Sequence, residues 1–436
     1  MPAHIHLPTF HPGQVRVFNE RERFNVVCCG RRWGKTKMLT TLAGDTGMKG
    51  RNCGIFTPES AQWAEPFDDL AEALLPALRS RDASKGKIRL VKRGPLRTGG
   101  KLDFWHTNDK PLAGRGREYH RVVGDEFAFG KLKQLGDIWS KSIRPTISTT
   151  QGDAWIFSTP FGDDPDNFFW QLCHEPKWGF KFHYAPSSDS PYMPPEELEL
   201  IRSMEHPLVF QQEYLAKFVS WGETAFFMRE WMLGLDGLPV EYPNKCDQVF
   251  AIMDCSAKSG SANDGTGVLY CAFTKHSKTL VLLDYELHSI NAAFLEGLAP
   301  TVLARCEALA KQCGAREGLR GVFVEDAAGG IVLLQQAAAN GWPMFAIPSD
   351  LMSKGKDERA MLAGGPVYRR NVMFSRHAFE KVIEWKRQSA NHLLRQIEKF
   401  RMGDKDAFKR ADDLLDCFAY AVVIALVDWR AAHSKP

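Results

Sequence analysis

The stretch Val26–Thr36, which reads VVCCGRRWGKT, constrains the fold of this chain more than any other. It begins in an apolar run and continues into a segment that is typical of a helix. A buried strand, a tight turn and a helix N-terminus in this order form a phosphate-binding loop. Gly34 lets the backbone approach a phosphate closely, Lys35 faces the β- and γ-phosphates, and the Thr36 hydroxyl can ligate Mg²⁺. The stretch therefore predicts a nucleoside triphosphate site.

The loop departs from the full pattern at its first position. The pattern G-x-x-x-x-G-K-[ST] has a glycine where this sequence has Cys29, and Gly30 follows one place later. The alternative interpretation is a chance GKT at a strand-to-helix turn. Further motifs along the chain favour the phosphate-binding interpretation.

A second signal is the stretch Arg121–Glu126, RVVGDE, in which a short apolar strand ends in two adjacent carboxylates. Asp125 would hold Mg²⁺ through water, and Glu126 would polarise the attacking water. An Asp-Glu pair at a strand end is common by itself, but after a phosphate-binding loop it has a function to perform. The predicted ATP contacts are Gln14, Gly30, Arg31, Arg32, Trp33, Gly34, Lys35, Thr36 and Asp125.

Three further features of the first half suit the same site. The amide of Gln14, just upstream of the first strand, could read an adenine edge, with a turn glutamine as the alternative. Arg115 lies in GRGR, where an arginine could complete a neighbouring copy's site, with a surface arginine as the alternative. The run AWIFSTP predicts a buried strand whose terminal Ser158 and Thr159 could sense the γ-phosphate.

Two basic segments are candidates for contact with DNA phosphates. Lys85–Thr107 has the pattern of a basic hairpin, and SKGKDER, an apparent loop with Lys354, Lys356 and Arg359, precedes the last helix. A solvated charged surface is the ordinary alternative for both.

The second half has an α/β pattern of its own, in which acidic residues recur at the ends of elements. VFAIMD is a strand ending at Asp254, a two-strand meander follows, and GVFVED is a later strand that again ends in acid. The last predicted helix, Ala411–Trp429, begins ADDLLD. Carboxylates that converge at one sheet edge could hold two Mg²⁺ or Mn²⁺ about 4 Å apart for phosphodiester hydrolysis. Helix capping is the alternative role for Asp412.

These motifs resemble one known family. The first half resembles the ATPase half of large terminase subunits, the DNA-packaging motors of tailed bacteriophages. The resemblance lies in the motifs HPGQ, GRG, VVGDE and STP and in a loop arginine four residues before the lysine. The strand order and acids of the second half resemble that family's nuclease half. The resemblance implies an α/β protein with an N-terminal P-loop (RecA/ASCE-like) ATPase domain and a C-terminal RNase H-like nuclease domain.

For the ATPase half, the resemblance implies a role for each motif residue. Gln14 would contact adenine, Arg31 would act on the phosphates in cis, and Arg115 would act in trans. Ser158 and Thr159 would couple hydrolysis to motion.

For the nuclease half, the resemblance implies a set of acidic metal ligands. Asp326 fits the family pattern better than Glu325, and Asp413 fits better than Asp412. The predicted ligands are Asp254, Asp326 and Asp413, with Asp264 as an auxiliary acid.

Length and composition agree with a two-domain protein. At 436 residues the chain is long for one core, and we place the ATPase domain at residues 1–234, with a helical cap at about 186–234. A linker at 235–245 and the nuclease domain at 246–436 follow. Ten cysteines without a C-x-x-C pair indicate a reducing compartment, with neither zinc spacing nor a disulfide framework. The N-terminus lacks a signal-peptide pattern, and the late apolar run is too short to span a bilayer.

The resemblance also implies a function and partners. ATP hydrolysis would drive double-stranded DNA into a prohead, and the nuclease would cut concatemeric DNA, with ATP, Mg²⁺ and, for the nuclease, Mn²⁺ as cofactors. Partners would be DNA, the small terminase subunit, the portal protein and further copies in a docked ring, with a monomer in solution as an alternative state. The location would be the cytoplasm of the infected bacterial host and, transiently, the portal vertex, with no membrane. The alternatives are a helicase-like or repair ATPase-nuclease, and a regulatory ATP switch.

Overall fold

The structure is a computed structural model that describes residues 5–91, 99–108, 110–130, 132–220, 225–255, 265–289, 295–327, 329–403 and 412–427. The chain divides into two compact units. The first comprises Met1–Ile201 and Pro207–Ser220, and the second comprises Arg202–His206 and Trp221–Pro436. The predicted domain end at residue 234 and the linker at 235–245 stay predictions.

The first unit is built on parallel strands that alternate with helices. Its strands are β1 (Phe24–Cys29), β2 (Asn52–Thr57), β3 (Leu78–Asp82), β4 (Lys87–Leu90), β5 (Lys101–His106), β6 (Arg121–Gly124), β7 (Asp153–Ser158) and β8 (Lys181–Ala185). The helices of this part of the chain are α1 (Pro12–Asn19), α2 (Lys35–Met48), α3 (Ala64–Ala73), α4 (Leu132–Ile138), α5 (Arg144–Thr146), α6 (Phe168–His174), α7 (Pro195–Met204) and α8 (Pro207–Glu213).

Within the described residues these strands form one sheet in the order β3-β4-β5-β2-β6-β7-β1-β8. Only the β3–β4 and β4–β5 pairs of this sheet are antiparallel. Side chains of β1 alternate between two buried clusters, with Val27 in one and Val26 in the other, because successive strand residues face opposite sides. The carboxyl ends of β1, β6 and β7 therefore meet at one edge of the sheet.

The second unit has a mixed sheet. Its strands are β9 (Gln248–Asp254), β10 (Thr266–Thr274), β11 (Thr279–His288), β12 (Leu319–Val324), β13 (Met344–Ala346), β14 (Val372–Phe374), β15 (Ile383–Trp385) and β16 (Gln388–Ala390). Its helices are α9 (Leu295–Gln312), α10 (Gly329–Asn340), α11 (Ser349–Met352), α12 (Lys356–Tyr368), α13 (Arg376–Glu380), α14 (His392–Lys399) and α15 (Asp413–Val422). A π-helical turn, Val423–Val427, continues α15.

The order of the described strands is β13-β12-β9-β10-β11-β14, with β15 and β16 as a separate hairpin. β9, β10 and β11 form an antiparallel meander, and β12 lies parallel to β9 on its other side. This is the strand order of RNase H-like domains. The predicted α/β fold class, with a P-loop unit followed by an RNase H-like unit, is confirmed.

Two local predictions differ from the structure. The strand predicted to end at Asp326 ends at Val324, so Glu325 follows it directly. SKGKDER was interpreted as a loop, but α12 begins at Lys356 and includes Arg359. Helix α12 forms there because its first turn carries acidic residues, which favour a helix N-terminus. In the described part of the chain, no helix combines the length and apolarity needed to cross a membrane.

Candidate functional site

The phosphate-binding loop joins the end of β1 to the start of α2. Two of its residues have left-handed backbone conformations, Arg32 with φ of 62° and Gly34 with φ of 99°. A β-carbon at Gly34 would lie 2.8 Å from Gln14 Nε2. The left-handed conformation is the feature that requires a glycine at position 34.

The departure at Cys29 has a structural reason. Cys29 is the last residue of β1 and is fully buried in the core. The close approach falls one residue later, because a β-carbon at Gly30 would overlap the Ser187 hydroxyl and the Tyr214 carbonyl. A glycine is therefore needed at position 30, where these neighbours leave no room for a side chain.

Contacts from distant parts of the sequence fix the loop, and sequence reasoning missed them. Ser187 Oγ donates to the Arg31 carbonyl at 2.6 Å, and the Arg31 N–H donates to the Glu213 carbonyl at 2.7 Å. The Arg31 guanidinium also pairs with Glu213 Oε2 at 2.5 Å. Glu213 is 5% exposed and Arg31 is 62% exposed in their side chains. The arginine predicted to act on phosphates is thus held by a buried carboxylate.

Gln14 and His11 attach helix α1 to the phosphate-binding loop. Gln14 Nε2 donates to the Gly34 carbonyl at 2.9 Å, and its Oε1 accepts from the His11 N–H at 3.2 Å. The His11 ring nitrogen Nε2 is 2.8 Å from the Trp33 carbonyl. The Trp33 side chain is fully buried, so only its backbone faces the loop. The predicted adenine contact of Gln14 stays a prediction.

Opposite charges meet at the carboxyl edge of the sheet. The Lys35 ammonium forms an ion pair with Glu126 and lies 3.3 Å from Thr159 Oγ1. Burial alone would lower the pKa of Lys35, but the Glu126 and Asp125 carboxylates outweigh it and raise that pKa. Burial also raises the pKa of Asp125 to about 7, with Lys35 opposing the rise.

Glu126 is held in a strained and incompletely bonded state. Its backbone φ is 54°, a left-handed value that residues other than glycine rarely adopt. Its second carboxylate oxygen, Oε2, is buried and has no hydrogen-bond partner among the described residues. Strain and an unpartnered buried oxygen of this kind accumulate at functional sites.

The remaining predicted residues of this unit lie in different places. Ser158 Oγ accepts from the Ala128 N–H at 3.1 Å, which ties the end of β7 to the turn after Glu126. Thr36 lies in the first turn of α2, where it is partly exposed. Arg115 lies in an exposed turn, and no described contact brings it to Lys35.

In the second unit, three elements bring acidic side chains together. Asp254 ends β9 and lies opposite Gly267 on β10. A β-carbon at Gly267 would lie 3.1 Å from Asp413, the first residue of α15. The Glu325 N–H, just after β12, donates to the Met253 carbonyl at 3.3 Å. The missing side chain at Gly267 thus lets the start of α15 approach the strand ends.

The carboxyl groups of this acidic cluster interact strongly. Burial and then the neighbouring Asp416, Glu325 and Asp413 raise the pKa of Asp254 well above its usual value. A hydrogen bond with the Glu325 side chain raises the pKa of Asp254 further. The Tyr420 hydroxyl donates to Glu325 Oε1 at 3.0 Å.

Basic residues of α12 balance the outer part of the cluster. Arg359 Nη2 pairs with Asp416 Oδ1 at 2.6 Å. Lys356 pairs with Asp412 and lies 3.3 Å from Asp416 Oδ2. Asp416 therefore lies among these charges, and sequence reasoning missed this because α12 is distant along the chain.

Helix capping does not occupy the acids at the start of α15. Asp412 is the N-cap residue but makes no side-chain capping hydrogen bond. Instead, Gln396 Oε1 accepts from the N–H groups of Leu414 and Leu415 at 2.9 and 3.0 Å. A glutamine from α14 therefore performs the capping, and the alternative capping role of Asp412 is not seen.

The predicted ligand set is only partly assembled. Asp254 and Asp413 lie in the cluster with Glu325, whereas Asp326 is exposed; the contacts favour Glu325 over the predicted Asp326. Asp264 lies outside the described residues. No group of three or more acidic, histidine or cysteine side chains within the described ranges is already spaced to hold a metal ion.

The donor chemistry nevertheless fits a hard divalent cation. The cluster offers only carboxylate oxygens, which Mg²⁺ and Mn²⁺ prefer. Burial and the neighbouring carboxylates disfavour the charged form of Asp254 by raising its pKa, and a bound divalent cation would offset that repulsion. The residues present therefore fit the metal that the RNase H-like fold implies.

No protein-family model matches the chain, and no curated protein matches its sequence. Solved structures match its fold over nearly its whole length. The large terminase of a thermophilic bacteriophage has 13% sequence identity and a TM-score of 0.67, covering 96% of this chain and 100% of that chain. The complex of the same terminase with ADP has 13% identity and a TM-score of 0.65, with the same coverage. Its complex with ATP-γ-S has 13% identity and a TM-score of 0.64, covering 95% of this chain and 99% of that chain. The resemblance to large terminases that the motifs indicated is confirmed in the fold.

Proposed function

We propose that this chain is the large terminase subunit of a double-stranded DNA virus that infects bacteria. Its first unit hydrolyses ATP to drive DNA into a prohead, and its second unit cuts concatemeric DNA. The observation that carries the proposal is the presence of both sites in one chain. Lys35 pairs with the strand-end Glu126 in one unit, and acids from β9, β12 and α15 gather in the other.

In the ATPase unit, a phosphate of ATP would take the place of Glu126 beside Lys35, with which Glu126 forms an ion pair. ATP would supply a more highly charged partner for the ammonium, which would release Glu126 from it. Glu126 would then polarise the attacking water, and Oε2, which is buried and unpartnered, would be available to accept its proton. Thr36 and Asp125 would hold the Mg²⁺ that accompanies ATP.

Arg31 and the end of β7 would respond to the same phosphates. The exposed Arg31 side chain would exchange Glu213 for the γ-phosphate, where its charge stabilises the transition state. Ser158 is bonded to the turn after Glu126 and Thr159 is 3.3 Å from Lys35, so both would sense the loss of the phosphate. Arg115 would act in a neighbouring copy's site.

In the nuclease unit, Asp254, Glu325 and Asp413 would hold divalent cations, with Asp264 as an auxiliary acid. When bound, the cations supply activation of water and stabilisation of the leaving oxygen. Arg359 and Lys356 orient Asp416 and Asp412 through ion pairs. Glu325 replaces Asp326 in this proposal because Tyr420 and Asp254 hold its carboxylate.

The proposed partners are double-stranded DNA, the small terminase subunit, the portal protein and further copies in a ring. The proposed location is the cytoplasm of the infected bacterium and, during packaging, the portal vertex of the prohead. Mg²⁺ is the proposed cofactor of both sites, and Mn²⁺ would also support cleavage.

One experiment separates this proposal from a helicase-like or repair enzyme. The full chain is given ATP and two substrates, a duplex carrying a triplex-forming third strand and a partial duplex of the same sequence. A packaging motor displaces the third strand without separating the duplex, and Lys35→Ala abolishes the displacement. Separation of the partial duplex, without displacement of the third strand, would contradict the proposal.

A further inference from the structure

One tyrosine of the first unit, Tyr192, has an unusually exposed side chain. Tyr192 is 78% exposed, more than any other described large hydrophobic residue of this unit. It lies in residues 186–194, the base loop, which connects β8 to α7. An exposed aromatic side chain on an ordered loop is a candidate contact for a ligand or a partner.

The base loop is ordered by its own hydrogen bonds. Its backbone makes successive turns, in which the Asp189 N–H donates to the Pro186 carbonyl at 3.0 Å and the Met193 N–H donates to the Ser190 carbonyl at 3.1 Å. The second of these turns contains Tyr192. The ring is therefore presented to solvent by a defined backbone.

The base loop is also attached to both walls of the nucleotide site. Ser187 Oγ donates to the Arg31 carbonyl of the phosphate-binding loop at 2.6 Å. Arg16 of α1 donates through Nη2 to Asp189 Oδ2 at 2.7 Å. These contacts hold Tyr192 in a fixed relation to the phosphate-binding loop on one side and to α1 on the other.

A single residue, His11, connects Tyr192 to the phosphate-binding loop. The ring centre of Tyr192 lies 6.3 Å from that of His11, with the rings at 81° to each other. His11 in turn contacts the Trp33 carbonyl at 2.8 Å, and Gln14 of the same helix contacts the Gly34 carbonyl at 2.9 Å. A base linked through a ribose to phosphates in the loop lies within reach of this side of α1.

We infer that Tyr192 stacks on the base of the bound nucleotide, beside the Gln14 amide. This inference rests on the proposed nucleotide site and adds the residue that fixes the base. An aromatic ring stacks on any base because every base has a π-face. The Gln14 side-chain oxygen accepts a hydrogen bond from His11, and its Nε2 donates one to the Gly34 carbonyl. Because few of its hydrogen bonds remain for the base, stacking supplies most of the contribution of the base to binding.

The test compares a ligand with a base and a ligand without one. Affinities of the full chain for ADP and for inorganic pyrophosphate are measured by calorimetry with Mg²⁺ present. The variants are Tyr192→Ala, Tyr192→Phe and, as a matched loss of an exposed ring from the same unit, Phe182→Ala. Phe182 is 41% exposed and lies on β8.

We expect Tyr192→Ala to weaken ADP binding about tenfold and to leave pyrophosphate binding unchanged. Tyr192→Phe and Phe182→Ala bind ADP like the wild type, because the first keeps a stacking ring and the second lies outside the base loop. Unchanged ADP binding in Tyr192→Ala, or an equal loss for ADP and pyrophosphate, would overturn the inference. If the wild type binds neither ligand, the proposed nucleotide site itself fails, and the inference fails with it.

Discussion

The substitution Glu325→Gln tests which acid after β12 belongs to the nuclease site. Glutamine keeps an acceptor for the Tyr420 hydroxyl, which donates to Glu325 at 3.0 Å, and offers Asp254 an N–H donor. The substitution therefore removes one negative charge from the acidic cluster without removing its hydrogen bonds.

The size of the effect follows from the charges. Two unit charges about 4 Å apart repel by about 4 kcal/mol at an effective dielectric constant near 20. Burial and then the neighbouring carboxylates raise the pKa of Asp254, which favours its neutral form and already relieves part of this repulsion. We expect the metal-free variant at pH 8 to gain about 1 kcal/mol in free energy of unfolding, or about 2–4 °C in Tm.

The assays are thermal unfolding in the presence of a chelator and Mn²⁺-dependent plasmid cleavage. Glu325→Gln should unfold at a higher temperature and lose at least about 100-fold in cleavage rate, because it removes a ligand. The matched control is Asp326→Asn, which changes an exposed residue and should alter stability by less than about 0.5 kcal/mol. Lost cleavage in Asp326→Asn with normal cleavage in Glu325→Gln would refute the assignment, and a lower Tm for Glu325→Gln would refute the charge reasoning.

Three further substitutions test other contacts. Burial raises the pKa of Asp125 to about 7, so the stability that this carboxyl group contributes is complete below pH about 4 and is lost as pH rises through 7. Asp125→Asn should therefore be more stable than the wild type between pH 5 and 8, by up to about 1.4 kcal/mol per pKa unit. Denaturant titrations without nucleotide measure this difference. Lys356→Met should bind Mn²⁺ several-fold more tightly in calorimetry, because the lysine ammonium no longer competes with the metal for the carboxylates. The control Lys354→Met, whose lysine pairs with Glu358 on the surface, should match the wild type. Weaker Mn²⁺ binding by Lys356→Met would contradict the competition. Gln396→Ala leaves two N–H groups of α15 uncapped and should cost about 1–2 kcal/mol of stability, and an unchanged free energy of unfolding would argue against its capping role.

The sequence predicted the elements that local patterns determine. The apolar run before Gly30 and the acid at Asp254 mark strand ends because a buried strand must stop where charge begins. Parallel strands place their carboxyl ends at one sheet edge, so Lys35, Asp125 and Ser158 could be grouped from the sequence alone.

The contacts that sequence reasoning missed join residues far apart along the chain. Gly30 is a glycine because Ser187 and Tyr214 approach it, and no local pattern shows this. Likewise, the choice between Glu325 and Asp326 depends on β12 ending at Val324. A difference of two residues in a strand end is within the uncertainty of any pattern but decides which carboxylate faces the cluster.

The basic segment SKGKDER shows the same limit. Glycine and charge suggested a loop, yet Arg359 lies on α12, paired with Asp416 at 2.6 Å and 4.7 Å from the ring centre of Tyr420. These contacts come from packing α12 against α15. Tertiary contacts of this kind override local propensity.

The most direct test of the two-site proposal measures ATP hydrolysis and Mn²⁺-dependent plasmid cleavage in Glu126→Gln and Asp254→Asn. Both variants are first compared with the wild type by circular dichroism and Tm. Glu126→Gln should lose ATP hydrolysis and keep cleavage, and Asp254→Asn should lose cleavage and keep ATP hydrolysis. If either substitution abolishes both activities in a folded protein, the chain does not carry two separate sites.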